Sequence, residues 1–179
     1  GIYNKKREFF KTNSPSMDIL ISSNLERLLY MFGGSTSELM KSLNENGKYK
    51  VSDEVFEKMK IFKSDYMSEK ETVDKIKEIF EKYGYLMDPH TAVAYGVYEK
   101  VKDDTKTLVV STASPYKFGN TIKEALDLEC DDDILLEAIS KVSGSDVPAV
   151  ISQYKSNKKE VWLKEDVNTN FENLIRELG

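Results

Sequence analysis

The sequence predicts a helix-rich α/β chain with few parallel strands and an incomplete sheet. Two short apolar runs, Met17–Ile21 and Thr107–Thr112, are bounded by turn-forming residues, as buried parallel strands are. Helical periodicity and capping signals occupy most of the remaining sequence. Because two parallel strands do not form a stable sheet alone, either further strands are hidden in segments predicted as helical, or the rest of the sheet belongs to sequence missing from this chain.

The composition is that of a globular protein. The 179 residues are 40% hydrophobic and 32% charged, and the net charge of -5 argues against nucleic acid or an anionic membrane as a partner. No apolar run reaches the roughly 20 residues of a membrane span, so we expect a cytoplasmic location. The single Cys130 fits a reducing compartment, and with one histidine it is too little for a zinc site. The start at Gly1 suggests a processed or truncated product, although a tag remnant would look the same.

The first half of the chain carries three capping signals for helices. Ser23 and Ser35 are each followed three residues later by a glutamate, which is the spacing of a capping box. We expect these two helices to end near residues 33–34 and 46–47, because glycine supplies the left-handed residue that terminates a helix. A shorter helix is predicted to begin after Ser52.

The clearest helix is predicted to begin at Ser68, with Glu71 in capping-box position. Its expected core-facing side chains recur at helical spacing: Val73, Ile76, Phe80 and Tyr83. Asp88-Pro89 then starts another helix, with the carboxylate at the N-cap and proline in the first turn. The small residues of that helix, namely Ala92, Ala94 and Gly96, allow a sheet or a neighbouring helix to pack closely against it.

The pattern after Phe118 is helical to the end of the chain. Helices are predicted over residues 122–128, 134–142 and 147–154 and around 171–178, while 158–164 is either a short edge strand or an extended link. The acidic run 131–133 resembles a metal-binding cluster, but acids at a helix N-terminus are the usual explanation. We divide the chain into a catalytic-domain part, 1–129, with a helical insertion at about 35–83, and a carboxyl-terminal helical segment, 130–179.

Ser111 and Thr112 are the candidate ligand contacts. They end the second predicted strand, and ligands of open α/β sheets bind beyond the carboxyl ends of the strands. The alternative is that Thr112 merely caps or turns the chain. The only imidazole, His90, has no cysteine or serine elbow nearby in sequence, which favours a structural role over a catalytic one. The sequence has no glycine-rich loop of the P-loop or dinucleotide-binding type.

Three segments together resemble the carboxyl-terminal part of the threonine synthase family, in the same order and at plausible spacing. They are Ser14-Pro-Ser-Met-Asp-Ile-Leu-Ile-Ser-Ser-Asn-Leu-Glu-Arg-Leu-Leu29, Asp88-Pro-His-Thr-Ala92 and Val110-Ser-Thr-Ala-Ser-Pro-Tyr-Lys-Phe118. The family pattern Ser-Thr-Ala-His-Pro-Ala-Lys-Phe is altered at two positions, since Ser114 replaces the histidine and Tyr116 replaces the alanine. No role of that family histidine is therefore carried over to this chain.

The resemblance implies a pyridoxal 5′-phosphate enzyme of fold type II, the tryptophan-synthase-β-like type. Such a lyase converts O-phospho-L-homoserine and water to L-threonine and phosphate. In the family a strand-end serine or threonine hydrogen-bonds the pyridine nitrogen, which by resemblance is Thr112 here. Ser111 is a weaker candidate for the cofactor rim, and Lys117 for local structure or an anionic group. His90 and Thr91 are expected to play a supporting role.

The resemblance also shows which parts of the enzyme this sequence lacks. The family's Schiff-base lysine and its Gly-Asn-Phe-Gly-Asn phosphate loop lie upstream of the three segments, and neither is present here. We therefore expect a fragment that is inactive alone, contains no catalytic or metal-binding residue, and has the missing amino-terminal part of the same enzyme as its partner. The alternative is a free-standing helical interaction module, related to the enzyme but non-catalytic.

Overall fold

A computed structural model describes residues 1–33 and 35–156, apart from the side chains of 153–156. The chain divides into one unit of Gly1–Ser145 and a second unit that begins at Asp146. The predictions for residues 158–164 and for the final helix lie outside the described residues. None of the helices in the described part of the chain has the length and apolar character needed to cross a lipid bilayer.

Helices dominate the described residues, as the sequence predicts. The α-helices are α1 (Ser23–Gly33), α2 (Ser37–Asn46), α3 (Asp53–Met59), α4 (Glu69–Tyr83), α5 (Pro89–Val101), α6 (Gly119–Ala125), α7 (Leu135–Ser143) and, in the second unit, α8 (Ala149–Ser156). Short 3-10 turns occupy Pro15–Met17, Pro115–Phe118 and Asp132–Ile134.

The helix N-termini follow the capping signals closely. Ser52 caps α3 by accepting from the Val55 N–H, and Ser68 forms the predicted capping box at the start of α4. Two predictions are wrong by one residue: the Leu25 N–H donates to Ser22 rather than Ser23, and the residue before α2 is Thr36. Adjacent hydroxyl residues offer equivalent caps, so the pattern does not distinguish between them.

The two predicted strands are not strands in the described residues. The segment 17–21 begins with the last residue of a 3-10 turn and 107–112 is irregular, so the prediction of parallel strands at these positions is wrong. The sheet of the described residues is instead antiparallel, with β1 (Ile2–Asn4) paired to β2 (Lys48–Lys50) and Tyr3 opposite Tyr49. A strand needs a neighbouring strand for its backbone hydrogen bonds, and the described residues provide none for 17–21 or 107–112. Both segments accordingly leave apolar side chains exposed, among them Leu108 at 86%.

An apolar core holds the amino-terminal helices against the small sheet. Its buried members come from α1, α2, α3 and the chain around β2: Leu29, Leu43, Tyr49, Val51 and Val55. Partly buried side chains, including Tyr3 and Phe32, cover this cluster. The residues predicted as a helical insertion, about 35–83, thus supply much of this core.

A second group of packed helices, α4 to α7, positions the amino terminus of α5. Helix α4 packs against α5 and α6, and α6 packs against α7. The buried face of α4 is Thr72, Ile76 and Ile79, so the prediction of Tyr83 on this face is wrong, since Tyr83 is 61% exposed. Gly96 of α5 permits a close approach, but the neighbour is the side chain of Met67, which lies before α4, and not the sheet or helix that was predicted. The chain from Leu86 to Ala92 is buried throughout.

Candidate functional site

Asp88 is the centre of a buried polar cluster at the start of α5. Its side chain is fully buried, and Oδ1 accepts from the His90 N–H at 2.9 Å and more weakly from the Thr91 N–H at 3.4 Å. Oδ1 also lies 3.1 Å from His90 Nδ1, while Oδ2 accepts the hydroxyl of Thr91. We call Asp88, His90, Thr91, Ser111 and the main chain of Ser16 the Asp88 cluster. The predicted N-cap is confirmed, and the carboxylate binds two side chains as well.

His90 links the first of the three family segments, Ser14–Leu29, to the second, Asp88–Ala92. The Ser16 N–H, 74 residues earlier in the chain, donates to His90 Nε2 at 3.1 Å. Because Nε2 accepts a hydrogen bond, the ring proton of a neutral imidazole is on Nδ1, where it points at Asp88. Both ring nitrogens are therefore hydrogen-bonded, and His90 as a whole is 7% exposed. This arrangement positions the segment around Ser16 on the helix start.

Thr91 joins the second segment to the third. Its hydroxyl oxygen is 3.0 Å from Ser111 Oγ, 20 residues further along the chain. Thr91 is buried whereas Ser111 is exposed, so the contact runs from the interior to the surface. Thr112 is also exposed, and within the described part of the chain no hydrogen bond to its hydroxyl is present. The structure thus brings Ser111, Thr91 and His90 together and leaves Thr112 accessible beside them.

The 3-10 turn 115–118 contributes an aromatic contact to the same region. The Phe118 ring meets the His90 ring edge-on, with centroids 4.9 Å apart. Lys117 in this turn is exposed, and its side chain has no ion pair among the described residues. The candidate site therefore includes Phe118, to which the sequence alone assigns no role, while Lys117 lies beside the Asp88 cluster rather than in it.

The turn that contains Ser16 is held by polar contacts that the sequence pattern does not predict. Asp18 accepts from the Thr12 N–H at 2.7 Å and from the Thr12 hydroxyl at 2.6 Å, and the Met17 N–H donates to the Ser14 carbonyl at 2.8 Å. These bonds close the chain into a turn that directs the Ser16 N–H at His90. A threonine and an aspartate flanking Ser-Pro-Ser form a turn signal, so the prediction of a strand that includes Asp18 is wrong.

Tyr116, one of the two departures from the family pattern, is a structural contact. It is 6% exposed, and its hydroxyl donates to the Ser145 carbonyl at 2.6 Å. The other departure, Ser114, precedes the 3-10 turn and makes no capping bond with its side chain. Tyr116 therefore attaches the turn next to the Asp88 cluster to the end of α7.

The acidic run 131–133 lies at a helix start, as expected. Asp132 and Asp133 occupy the first turn of the 3-10 segment before α7, and Asp132 lies 3.4 Å from Lys123 Nζ. Across residues 1–33 and 35–156, no group of three or more histidine, cysteine, aspartate or glutamate side chains is placed to hold a metal ion.

Comparisons with known proteins identify the same family that the three sequence segments resemble. A family model described as "Threonine synthase, C-terminal" matches residues 91–160. Threonine synthase of Saccharomyces cerevisiae is 34% identical, aligned over 80% of this chain and 33% of its own length. Human "Threonine synthase-like 1" is 36% identical over 70% of this chain and 18% of its own length.

Solved structures give the same assignment for the fold. The yeast threonine synthase crystal structure superposes with a TM-score of 0.72 and 30% identity, covering 89% of this chain and 34% of that protein. A pyridoxal-phosphate-bound threonine synthase from Brucella melitensis gives a TM-score of 0.66 and 28% identity, covering 86% of this chain and 35% of that one. The chain thus spans about a third, or less, of the length of the relatives it matches.

These findings confirm the family and the fold class that the three segments predict. Those segments meet at the Asp88 cluster in the folded chain. In sequence and fold, the chain therefore corresponds to the carboxyl-terminal portion of threonine synthases.

Proposed function

We propose that this chain is part of a pyridoxal 5′-phosphate-dependent threonine synthase, and that it supplies one wall of the cofactor site. The complete enzyme would convert O-phospho-L-homoserine and water to L-threonine and phosphate. The observation that carries the proposal is the convergence of the three family segments on the Asp88 cluster, with Ser111 and Thr112 exposed at its surface end.

The residues at this surface suit the cofactor's pyridine ring. A bound pyridoxal phosphate supplies carbanion stabilisation. Thr112 offers an accessible hydroxyl that no described residue engages, which suits a hydrogen bond to the pyridine nitrogen. A hydroxyl is a neutral partner, so it would not enforce a protonated ring as a carboxylate would. Ser111, already bonded to Thr91, would line the rim.

His90 and Thr91 would act in support of these contacts. They fix the segment containing Ser111 and the turn containing Ser16 to the start of α5, so the hydroxyls of Ser111 and Thr112 stay in place. Lys117 has an exposed ammonium close in sequence to Thr112, which suits either local structure or an anionic group. The division into 1–129 and 130–179 and a cytoplasmic location belong to the same proposal.

The chain by itself would be inactive on this proposal. It contains no Gly-Asn-Phe-Gly-Asn loop, whose backbone N–H groups would hold the cofactor phosphate, and no family Schiff-base lysine. The relatives extend well beyond the matched region, since the chain covers 33% of the yeast enzyme. Its expected partner is the amino-terminal part of the same enzyme. We expect no phosphate release from O-phosphohomoserine by the isolated chain.

The test is to express the complete reading frame and to compare Thr112→Ala with Thr112→Ser. We expect phosphate release from O-phosphohomoserine by the unaltered protein. Loss of the hydroxyl in Thr112→Ala should weaken pyridoxal phosphate binding about threefold to tenfold, as expected for one hydrogen bond, whereas Thr112→Ser should restore it. The matched control is Thr107→Ala, which removes an exposed hydroxyl of the same segment that bonds only to the Thr105 carbonyl.

Two outcomes would contradict the proposal. Equal cofactor affinity in Thr112→Ala and the unaltered protein would remove Thr112 from the site. A complete protein that neither binds pyridoxal phosphate nor releases phosphate would instead support the non-catalytic helical interaction module.

A further inference from the structure

Two irregular segments near the start of α5 expose apolar side chains. Single exposed apolar residues are common on protein surfaces, whereas residues 19–21 and 107–112 expose them in runs. The exposed members are Ile19, Leu20, Ile21, Leu108 and Val110. We call these five side chains the exposed apolar face.

The main chain of the two segments is also unpaired. Among the described residues, no N–H group of residues 107–112 donates to a backbone carbonyl, and neither do those of Leu20 and Ile21. Such N–H groups bond to water or to a neighbouring strand. An apolar run with an unpaired main chain is therefore suited to strand addition, in which backbone hydrogen bonds supply much of the affinity.

Both segments are attached to the start of α5 by neighbouring residues. The N–H of Ser16, three residues before the first segment, donates to His90 Nε2 at 3.1 Å. In the second segment, Ser111 Oγ lies 3.0 Å from the hydroxyl oxygen of Thr91. Because His90 and Thr91 are adjacent in sequence, the exposed apolar face belongs to one region of the surface rather than to two.

Burial along the second segment alternates from one residue to the next. Leu108 and Val110 are 86% and 65% exposed, whereas Val109 between them is half-buried. Side chains of an extended chain alternate between two sides, so Ser111, which contacts α5, shares a side with Val109. Thr112 then shares the outer side with Leu108 and Val110. The exposed apolar face thus leads to the hydroxyl proposed to contact the pyridine nitrogen.

The rest of the same protein is the occupant best suited to this face. The chain corresponds to the carboxyl-terminal portion of its relatives and covers 33% of the yeast enzyme, which leaves ample sequence for further strands and helices. Parallel sheets are covered on both faces, and the described residues cover Leu108 and Val110 on neither. A second copy suits the face less, because it brings the same two short segments and the same net charge of -5.

We propose that the exposed apolar face docks the amino-terminal portion of the same protein, by strand pairing along residues 19–21 and 107–112. The docked portion buries Leu108 and Val110 and closes the cofactor site over Thr112. This inference rests on the proposed function, because it names the partner surface that completes the same site.

Hydrogen–deuterium exchange followed by mass spectrometry compares the complete protein with the 179-residue chain. Peptides that cover 19–21 and 107–112 should exchange at least about a hundredfold more slowly in the complete protein, since strand pairing protects backbone amides. The exposed residues 63–66, between α3 and α4, are the control and should exchange rapidly in both proteins. Equal exchange of 107–112 in the two proteins would overturn the proposal.

Leu108→Asp tests the side chains of the face. In the 179-residue chain it should leave the urea midpoint unchanged, because Leu108 is largely exposed there. In the complete protein it should remove at least about tenfold of the protection at 107–112, since a carboxylate would be buried among apolar side chains. Ile61→Asp is the matched control, because Ile61 is 75% exposed after α3, and it should keep the protection. Full protection in Leu108→Asp would contradict the proposal.

The remaining outcomes identify the occupant and separate this inference from the proposed function. Protection that appears in the 179-residue chain alone as its concentration rises would assign the face to a second copy and refute the proposal. The exchange measurement does not require the cofactor. A complete protein protected at 107–112 that binds no pyridoxal phosphate would support the docking and refute the proposed function. One that binds it without this protection would refute this inference alone.

Discussion

Replacing Asp88 with alanine should destabilise the chain more than the loss of a helix cap can explain. The cap is worth about 1 kcal/mol. Alanine also leaves the His90 Nδ1–H and the Thr91 hydroxyl buried without their acceptor, at about 1–3 kcal/mol each. These terms are not strictly additive, so the loss should lie at or below their sum. We therefore expect a loss of about 3–5 kcal/mol for Asp88→Ala.

Urea unfolding followed by far-ultraviolet circular dichroism measures this loss. Asp88→Asn keeps an acceptor oxygen for the cap, and Thr91 can reorient toward the amide, so it should lose only about 1–2 kcal/mol. Ser52→Ala is the control for a cap alone, because Ser52 accepts only the Val55 N–H, and it should lose about 1 kcal/mol. An Asp88→Ala chain as stable as Ser52→Ala would refute the view that Asp88 holds His90 and Thr91.

Two further variants test contacts outside the cluster. Tyr116→Phe removes the hydroxyl that donates to Ser145 and should cost about 1 kcal/mol in urea unfolding; no change would show that the bond is not formed in solution. The Glu71 carboxylate accepts hydrogen bonds from the Ser68 N–H and hydroxyl and from the Lys100 ammonium, and these bonds lower the pKa of Glu71 to about 2. Its contribution to stability is therefore full above the ordinary value of 4.5 and lost as pH falls toward 2. Glu71→Gln, which keeps the capping oxygen, should flatten that part of the pH profile relative to the unaltered chain, and parallel profiles would contradict this origin.

Local signals predicted most of the helices, because a cap depends on residues within one turn. Ser52, Ser68 and Asp88 each occupy the N-cap that their spacing predicts, and Gly84 adopts the left-handed conformation, φ 66°, that ends α4. The errors of one residue at Ser22 and Thr36 arose where two hydroxyl residues are adjacent. For these elements the sequence carries nearly all of the information.

Local sequence signals could not predict the two strands that form or the contacts of the Asp88 cluster. An apolar run such as 107–112 satisfies the local criteria for a strand, but strand formation depends on a partner that the described residues do not provide. The small sheet that does form pairs Tyr3 with Tyr49, whose separation in sequence gives no local signal. The resemblance selected Ser111, His90 and Thr91, but it did not show that they touch.

The sequence by itself determined the family, the positions of most helices and the residues to inspect, since motifs and caps are local properties of the chain. Only the tertiary structure decided that Asp88 connects them, because its cluster joins Ser16 to His90 across 74 residues and Thr91 to Ser111 across 20. The physical reason is that a buried carboxylate must have donors, and packing of the chain determines which donors reach it.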